Sequence, residues 1–330
     1  DVKIMKFFRL FLIFLMVSFT FISCKKEAES RWNIEIKQTE MVKITDISAE
    51  FYNDKVPFQD FKDKFGFFLS PQVPDATYER KRNNALEKRI YKSALSLNKL
   101  PQLEKDLAGL FAHIKFYFPK FQQPKVYVFS SATELYEEPI LYLPEQKLLF
   151  IDLSAFMGEK SEFYEGIDTY LRREMNPQNV VTRVGETIAG DYVPATPDHQ
   201  KFLDKMINLG KLLTLQDAFL PEAKDQYKIG YSNQQQSWAI SNEENIYNYF
   251  VENDILFSDD NGLEERFLNK GPFSKFYTEI DQKSAPKTGA FIGWMMCRKY
   301  LEEHPEVSLQ KFLQLPATEI FNNSHYKPNK

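Results

Sequence analysis

The alternation of apolar and polar residues predicts a set of short β-strands, all of them in the first half of the chain. Successive side chains of a strand point to opposite faces, so a strand with one buried face alternates between the two residue classes. Compact runs of β-branched and aromatic residues between turn residues are a second strand signal. Together these patterns predict strands at residues 32–37, 42–47, 125–129, 141–143 and 148–153.

Apolar residues spaced three and four positions apart predict helices, which dominate towards the C-terminus. Pro177 opens the central helix, and Ser308 caps the final one. Strands that come early and helices that come late predict an α+β fold, mostly helical, with a small N-terminal sheet. The predicted helices cover residues 58–69, 77–97, 101–118, 179–192, 202–213, 242–256, 289–301 and 308–313.

The composition is that of a globular protein with a large core, and residues 41–330 are predicted to form a single domain. Of the 330 residues, 43% are hydrophobic and 15% are aromatic, which favours packing between large rings. The net charge of −4 offers no basic surface, so we expect no nucleic-acid partner. The 2 cysteines cannot form a disulfide framework, and Cys297 lies on an apolar helix where a buried thiol is expected.

The N-terminus has the pattern of an export signal. Met5 is the expected true start, basic residues follow it, and residues 7–22 are almost wholly apolar. This run is short for a membrane-spanning helix, so residues 1–23 are predicted to be a signal peptide. Ser23-Cys24 at its end has the pattern of a lipoprotein processing site, although an ordinary secretory signal or a short anchor would also fit.

If the lipoprotein interpretation is correct, Cys24 is the site of lipid attachment, and the acyl chains hold the protein at a membrane. Residues 24–40 would then be the anchor and tether. The domain would lie in the cell envelope and face the periplasm. The sequence leaves open whether the inner or the outer membrane carries it.

The central helix contains the frame of a zinc-peptidase motif without its ligands. In His-Glu-x-x-His, two histidines one turn apart bind zinc, and the glutamate activates the metal-bound water. At the matching positions Gly185 and Ala189 carry no donor atoms, and only Glu186 remains. A solitary glutamate on a helix is usually a solvated carboxylate or an ion-pair partner, and Arg183 is a candidate partner.

Other residues give weaker functional signals. The 4 histidines are spread along the chain, and none pairs with another at a helical spacing suited to a metal. Trp238 and Tyr231 could form a platform on which a peptide or carbohydrate stacks, or they could pack inside a cleft wall, as could Trp294. Tyr231, Trp238 and Trp294 are therefore candidate cleft residues.

Taken together, the chain resembles the gliding motility lipoprotein GldB family over almost its whole length from Met5. No single stretch is diagnostic, and the resemblance rests on the order and spacing of several segments in the C-terminal half. These segments are Ile229-Gly-Tyr231, Trp238, Asn242-Glu243, Tyr249-Phe250, Pro272 to Tyr277, Ser284 to Gly289, Ile292-Gly-Trp294, Ile320 to Ser324 and Tyr326-Lys-Pro328.

This family is in turn similar to zincin-type metallopeptidases that have lost metal ligands. The resemblance implies a zincin-like domain and places Leu209, just before Gly210, where a third ligand would stand. We therefore expect no metal, no cofactor and no catalysis. The implied role is a binding or assembly component of the gliding machinery and its linked secretion system. Its implied partners are the membrane, through the lipid, and other envelope proteins of that machinery.

Two alternatives remain open from the sequence. An active zinc peptidase would need ligands from elsewhere in the chain, such as His113, His199 or Glu222. A lipoprotein that binds a small ligand in its cleft would be stabilised against heat by that ligand.

Overall fold

The computed structural model describes residues 30–36, 39–195 and 200–329, which include a mixed sheet. The sheet has the strand order β1-β2-β4-β3, in which β1, β2 and β4 are parallel and β3 is antiparallel to β4. β1 and β3 therefore lie at opposite edges. The strands are β1 (Ile44–Asp46), β2 (Lys125–Phe129), β3 (Ile140–Leu143) and β4 (Leu148–Asp152).

Aromatic side chains fill the space between one face of the sheet and the first two helices, α1 (Ile47–Phe51) and α2 (Phe58–Phe65). The Tyr127 ring stacks on Phe150 of the neighbouring strand with their centroids 5.4 Å apart. The helices contribute further rings and aliphatic groups to the same cluster. The high aromatic content of the chain thus packs between layers, as the composition suggested. The buried members of this cluster are Ile47, Phe61, Phe65, Phe129 and Phe150.

Thirteen further helices, counted within the described residues, confirm an α+β fold that is mostly helical. The central helix is α7, and a 3₁₀ turn that begins at Pro177 leads into it. The helices are α3 (Asp75–Arg82), α4 (Ala85–Leu97), α5 (Leu100–Tyr117), α6 (Thr169–Arg172), α7 (Val180–Gly190), α8 (Phe202–Phe219), α9 (Asp225–Ile229), α10 (Asn233–Ser241), α11 (Glu243–Glu252), α12 (Gly262–Phe267), α13 (Thr288–Glu303), α14 (Leu309–Gln314) and α15 (Ala317–Asn323).

One predicted helix is divided in two by a capping side chain, and another ends early and follows a helix that was not predicted. The stretch 77–97 divides into α3 and α4, since Asn84 accepts hydrogen bonds from the first turn of α4 and caps it. The stretch 242–256 ends at Glu252, and α10 precedes it. A capping box between Ser232 and Gln235 starts α10, and this signal was present in the sequence.

The strand predicted at residues 32–37 was wrong for the residues that the structure describes. Residues 31–32 form a turn, and residues 33–36 have no regular structure. Alternation indicates a strand only when a neighbouring strand accepts its hydrogen bonds, and residues 32–36 have no such neighbour within the described part of the chain. The strand predicted at 42–47 is shorter, because Asp46 ends β1 and caps α1.

Helices α8 and α13 make the closest contact between elements of the helical layer. A Cβ atom placed on Gly210 of α8 would lie 2.5 Å from the carbonyl oxygen of Gly293 in α13, and one placed on Gly293 would overlap the carbonyl oxygen of Met206. The two backbones can meet only because both positions lack side chains. Cys297, one turn after Gly293, is buried in the same interface, as the sequence suggested, and burial raises the pKa of its thiol.

Candidate functional site

On the central helix α7, the two residues that stand where the peptidase motif has its metal ligands face the protein core. Gly185 and Ala189 are both buried. A Cβ atom on Gly185 would lie 3.1 Å from Cδ1 of Leu220 and 3.5 Å from Cδ1 of Leu110. This face of α7 therefore packs against apolar side chains that follow α8 and belong to α5. A donor atom added at position 185 would enter that apolar packing.

The glutamate that remains from the motif is engaged in an ion pair. The Glu186 carboxylate accepts a hydrogen bond from the guanidinium of Arg183, one turn earlier on α7. The same Arg183 nitrogen lies 3.2 Å from a carboxylate oxygen of Glu174. Burial disfavours the charged form of Arg183, but the carboxylates of Glu186 and Glu174 outweigh it and raise the arginine pKa. The partner suggested by the sequence is thus confirmed.

Glu174 lies at the centre of a charged group that we call the Glu174 cluster: Glu174, Arg183, Glu186, Lys270 and Lys287. Lys270 Nζ lies 3.0 Å from Glu174, and the buried Lys287 amine donates to the carbonyl oxygen of Ile229. Burial raises the pKa of Glu174, but the charges of Lys287, Lys270 and Arg183 prevail and lower it to about 2. The carboxylate is therefore held ionised by three cations.

Because the Glu174 carboxylate is stabilised in its ionised form, the free energy of unfolding should decrease in acid. Its pKa falls from an ordinary value of 4.5 to about 2 in the folded protein. The stabilisation is therefore complete above the unfolded pKa and is lost as the pH falls from 4.5 towards 2. We expect a loss on the order of 2 kcal/mol over this range, somewhat below the full linkage value because Lys270 is partly solvated.

Urea unfolding across this pH range would test the expectation. The unfolding free energies of the wild type and of Glu174→Gln should converge as the pH falls. Glu162→Gln is a matched control, because Glu162 is mostly exposed and its ion pair with Arg89 is 3.4 Å long. An equal pH dependence of the wild type and Glu174→Gln would contradict the assignment.

Two pockets lie beside the central helix, one near each end of strand β3. The first, which we call the Arg183 pocket, has a volume of about 350 Å³ and lies next to the Glu174 cluster. The second, the Tyr192 pocket, has a volume of about 530 Å³ and lies just beyond the end of α7. The Arg183 pocket is lined by residues that include Tyr136, Glu137, Glu138, Pro139, Phe156, Tyr170 and Arg183, and the Tyr192 pocket by residues that include Phe118, Lys120, Tyr142, Glu145, Lys147 and Tyr192.

The candidate cleft residues do not line these two pockets. The Tyr231 hydroxyl is buried and donates to the carbonyl oxygen of Pro286 at 2.6 Å. Trp294 is also buried. Trp238 is half-buried, with its ring centroid 6.5 Å from that of Phe276. Tyr231 and Trp294 are enclosed by protein, which agrees with packing inside a wall rather than with a stacking platform at either pocket.

The structure does not bring the remaining candidate ligands together as a metal site. His113 is half-buried on α5, where its Nδ1 lies 2.9 Å from the carbonyl oxygen of Gly109. Glu222 is exposed, and Leu209 is half-buried on α8. Cys24 and His199 lie outside the described residues. Within the described residues, no group of three His, Cys, Asp or Glu side chains is arranged to hold a metal ion.

Sequence reasoning missed a buried ionic network around Asp217 of α8. Its carboxylate accepts hydrogen bonds from Lys228 Nζ (2.9 Å), Trp294 Nε1 (2.9 Å) and the guanidinium of Arg298 (2.7 and 2.8 Å). Arg298 also pairs with Asp225 and stacks over the Trp294 ring at 3.8 Å. The local signal for this network in the sequence was the spacing of Trp294 and Arg298, which lie one turn apart on α13. Their acidic partner lies 81 residues from Arg298 and could not be identified from that spacing.

No described helix has the length and apolar character needed to cross a membrane. A family model described as gliding motility protein GldB matches residues 29–328. No curated protein and no solved structure gave a significant match.

Proposed function

The chain belongs to the gliding motility protein GldB family, and from this premise we propose that it acts in gliding as a binding component without catalytic activity. The family is one of lipoproteins, which indicates the cell envelope as its location. Its partners, in this proposal, are other envelope proteins of the gliding machinery and the secretion system linked to it.

The observation that carries the proposal is that the central helix lacks residues able to bind a catalytic metal. Zinc catalysis needs three protein ligands and an open coordination position. Gly185, Ala189 and Leu209 supply no ligand atoms, and the first two are buried, Gly185 against Leu110 and Leu220. Glu186 is paired with Arg183, so it is not free to accept a proton from an attacking water. The proposal includes descent from a zincin-like metallopeptidase. In this proposal, the replacement of these residues accounts for the loss of zinc catalysis.

The two pockets provide a surface for binding once catalysis is set aside. They are concave, they lie side by side along α7 and β3, and they combine aromatic rings with charged groups. Binding sites commonly have this mixture of apolar walls and a few polar groups. We therefore place the partner-binding surface there.

A motility experiment tests the proposal. In a gliding host that lacks its own copy, Glu186→Gln should restore colony spreading to the wild-type level, because no proton transfer depends on this carboxylate. The double substitution Tyr136→Ala and Tyr170→Ala, which removes two rings from the Arg183 pocket, should reduce spreading strongly. Tyr277→Ala is the matched control, since Tyr277 is an exposed tyrosine that does not line either pocket.

The same strains decide between the proposal and its alternatives. Loss of spreading with Glu186→Gln, together with peptide cleavage that a chelator blocks, would establish a metallopeptidase instead. Stabilisation of the purified protein against heat by a small molecule, with the tyrosine pair dispensable for spreading, would favour a small-ligand lipoprotein.

The lipid anchor has its own test. We propose that Cys24 carries the lipid, so Cys24→Ala should move the protein from the membrane fraction to the soluble fraction. Cys297→Ala is the control, because Cys297 is buried between α8 and α13. Persistence of Cys24→Ala in the membrane fraction would contradict lipidation at this residue.

A further inference from the structure

Asp152, the last residue of β4, carries a buried carboxylate that joins two loops. One of its oxygens accepts hydrogen bonds from the backbone N–H of Ser131 at 3.1 Å, from the backbone N–H of Ser154 at 2.9 Å and from the Ser154 hydroxyl at 2.6 Å. The other oxygen accepts a hydrogen bond from the Ser131 hydroxyl. Both oxygens are therefore engaged by two serines, one from each loop.

The two serines belong to the loops that form one wall of the Arg183 pocket. Ser131 lies in the loop between β2 and β3, residues 130–139, which we call the β2–β3 loop. Ser154 lies in the 3₁₀ turn that follows β4. The pocket is lined by Tyr136, Glu137, Glu138 and Pro139 of the β2–β3 loop and by Ala155 and Phe156 after β4.

Asp152 holds the β2–β3 loop near both of its ends. Its carboxylate binds Ser131 near the start, and its backbone N–H donates to the carbonyl oxygen of Pro139 at 2.8 Å. The Ser154 hydroxyl adds a further link, because it accepts a hydrogen bond from the backbone N–H of Thr133 at 2.9 Å. The loop residues that reach the pocket thus lie between points that are fixed to the end of β4.

The β2–β3 loop is held in a backbone conformation that residues other than glycine rarely adopt. The φ angle is 57° at Ala132 and 72° at Thr133. Such a positive φ is a clear outlier for a β-branched residue such as threonine. Strained residues of this kind persist only where the surrounding structure fixes them, and they are found at ligand-binding and switch regions. Asp152 and its two serines supply the fixing contacts here.

We propose that Asp152 is a positioning residue for the partner-binding surface. Its carboxylate clamps the strained β2–β3 loop and thereby keeps the loop's tyrosine and two glutamates in place at the Arg183 pocket. Asp152 itself is buried and does not line the pocket. Release of the clamp lets the loop relax towards ordinary φ angles, which changes the shape of the pocket wall. This inference rests on the proposed binding function and specifies how its site is maintained.

Hydrogen exchange of the full chain in detergent, followed by mass spectrometry, measures the clamp directly. Asp152→Asn keeps the shape of the side chain but removes its charge and replaces one acceptor oxygen by a donor. The backbone amides of residues 131–135 should then exchange about ten- to hundredfold faster than in the wild type, the range expected when hydrogen bonds to a charged acceptor are weakened. Circular dichroism and thermal melting show whether the variant is folded.

A milder variant serves if Asp152→Asn does not fold. Ser131→Ala removes only a hydroxyl, which donates to Asp152 and accepts a hydrogen bond from the backbone N–H of Leu135 at 3.0 Å. The Asp152 carboxylate keeps its contacts with Ser154 in this variant. The same amides should exchange about tenfold faster.

Glycine at Ala132 distinguishes a strained loop from one that is merely well packed. Glycine adopts a positive φ without the steric cost that alanine pays. Adding Ala132→Gly to Asp152→Asn should therefore slow the exchange of residues 131–135 by about fivefold, towards the wild-type rate. In a loop without strain, glycine would only add conformational freedom, and exchange would become faster.

Colony spreading connects the clamp with the binding site. In the gliding host described above, Asp152→Asn should reduce spreading as strongly as the Tyr136 and Tyr170 double substitution does. Adding Ala132→Gly should restore part of the spreading, because the loop returns to its held conformation without the full clamp. This recovery would not occur if Asp152 contributed only to the overall stability of the fold.

Asp281→Asn is the matched control for loosening a loop. The Asp281 carboxylate also accepts hydrogen bonds from successive backbone N–H groups, those of Phe276, Tyr277 and Thr278. Tyr277 likewise has a positive φ, 61°, but these residues line neither pocket. Asp281→Asn should speed exchange at residues 276–278 and leave both spreading and the exchange of residues 131–135 unchanged.

The outcomes separate this inference from the proposed function. Wild-type exchange of residues 131–135 in a folded Asp152→Asn or Ser131→Ala protein would overturn the clamp, as would faster exchange on adding Ala132→Gly. Faster exchange with unimpaired spreading would overturn the link to binding if the Tyr136 and Tyr170 pair is required for spreading. If that pair is dispensable, the proposed function fails, and the exchange rates alone judge the clamp.

Discussion

Replacing Asp217 by asparagine should lower the free energy of unfolding by about 3–5 kcal/mol, the cost typical of removing one member of a buried ion pair. The side chains of Asp217 and Lys228 are each only 3% exposed, so neither charge can turn to water when its partner is lost. Asparagine keeps the shape but removes the nearer counter-charge of both the Lys228 ammonium and the Arg298 guanidinium. The two cations would then share only Asp225, which is partly exposed and lies 3.8 Å from Lys228 Nζ. The Trp294 indole would also lose its charged acceptor.

Chemical denaturation of wild type, Asp217→Asn and the double variant Asp217→Asn with Lys228→Met would measure this cost. The double variant should recover part of the lost stability, because it no longer contains a buried ammonium that has lost its nearer carboxylate. Asp54→Asn is the control, since Asp54 is fully exposed in its ion pair with Lys88 and its substitution should leave stability unchanged. Equal unfolding free energies of wild type and Asp217→Asn would show that the buried network does not stabilise the fold.

Alanine at Gly293 should destabilise the protein by about 3 kcal/mol or more, at the upper end of overpacking effects. The added methyl group would overlap the carbonyl oxygen of Met206, and backbone cannot move aside as a flexible side chain can. α8 and α13 would have to separate, which opens gaps along the most closely packed helix pair. The same change at Gly210 should act in the same direction, since its methyl group would approach Gly293.

Gly109→Ala provides the matched control for helix propensity. Gly109 lies inside α5, and a Cβ atom there would have no heavy atom within 4 Å. Alanine should therefore stabilise the protein by about 0.5–1 kcal/mol, the usual gain in a helix interior. Thermal melts of the two variants should shift in opposite directions. A Gly293→Ala protein as stable as wild type would refute the close helix contact.

Local signals allowed much of the fold to be predicted from the sequence. The strands at 125–129 and 148–153, and the helices α5, α7 and α13, follow from periodicity with small errors at their ends. The error at Asn84 arose because a capping side chain overrides an apolar pattern that continues across it. The helix α10 was missed although Ser232 and Gln235 carry its capping box. These signals are short and can be found in the sequence once capping is considered.

The candidate site was only partly predictable, because its contacts are distant in the sequence. The frame of the central helix and the pairing of Glu186 with Arg183 are local and could be predicted. The pairing of Glu174 with Lys270 spans 96 residues, and no spacing rule identifies it. The face on which Gly185 lies depends on Leu110 and Leu220, which approach only after folding. The sequence left open whether Tyr231 and Trp294 form a platform or pack inside a wall, since residue type alone does not distinguish the two.

The opposite positions of β1 and β3 in the sheet have a mechanical consequence. The chain enters the sheet through β1 at one edge, and β3 forms the other edge. Tension applied between the segment that precedes β1 and the outer edge of β3 would cross the sheet from edge to edge, through the ladders that join β1 to β2, β2 to β4 and β4 to β3. The sheet would act as a short force-bearing link, and its weakest ladder would set the load at which the connection fails. The three-residue ladder of β1 is the shortest of these, so pulling should detach β1 before the pairing of β2 with β4 is broken.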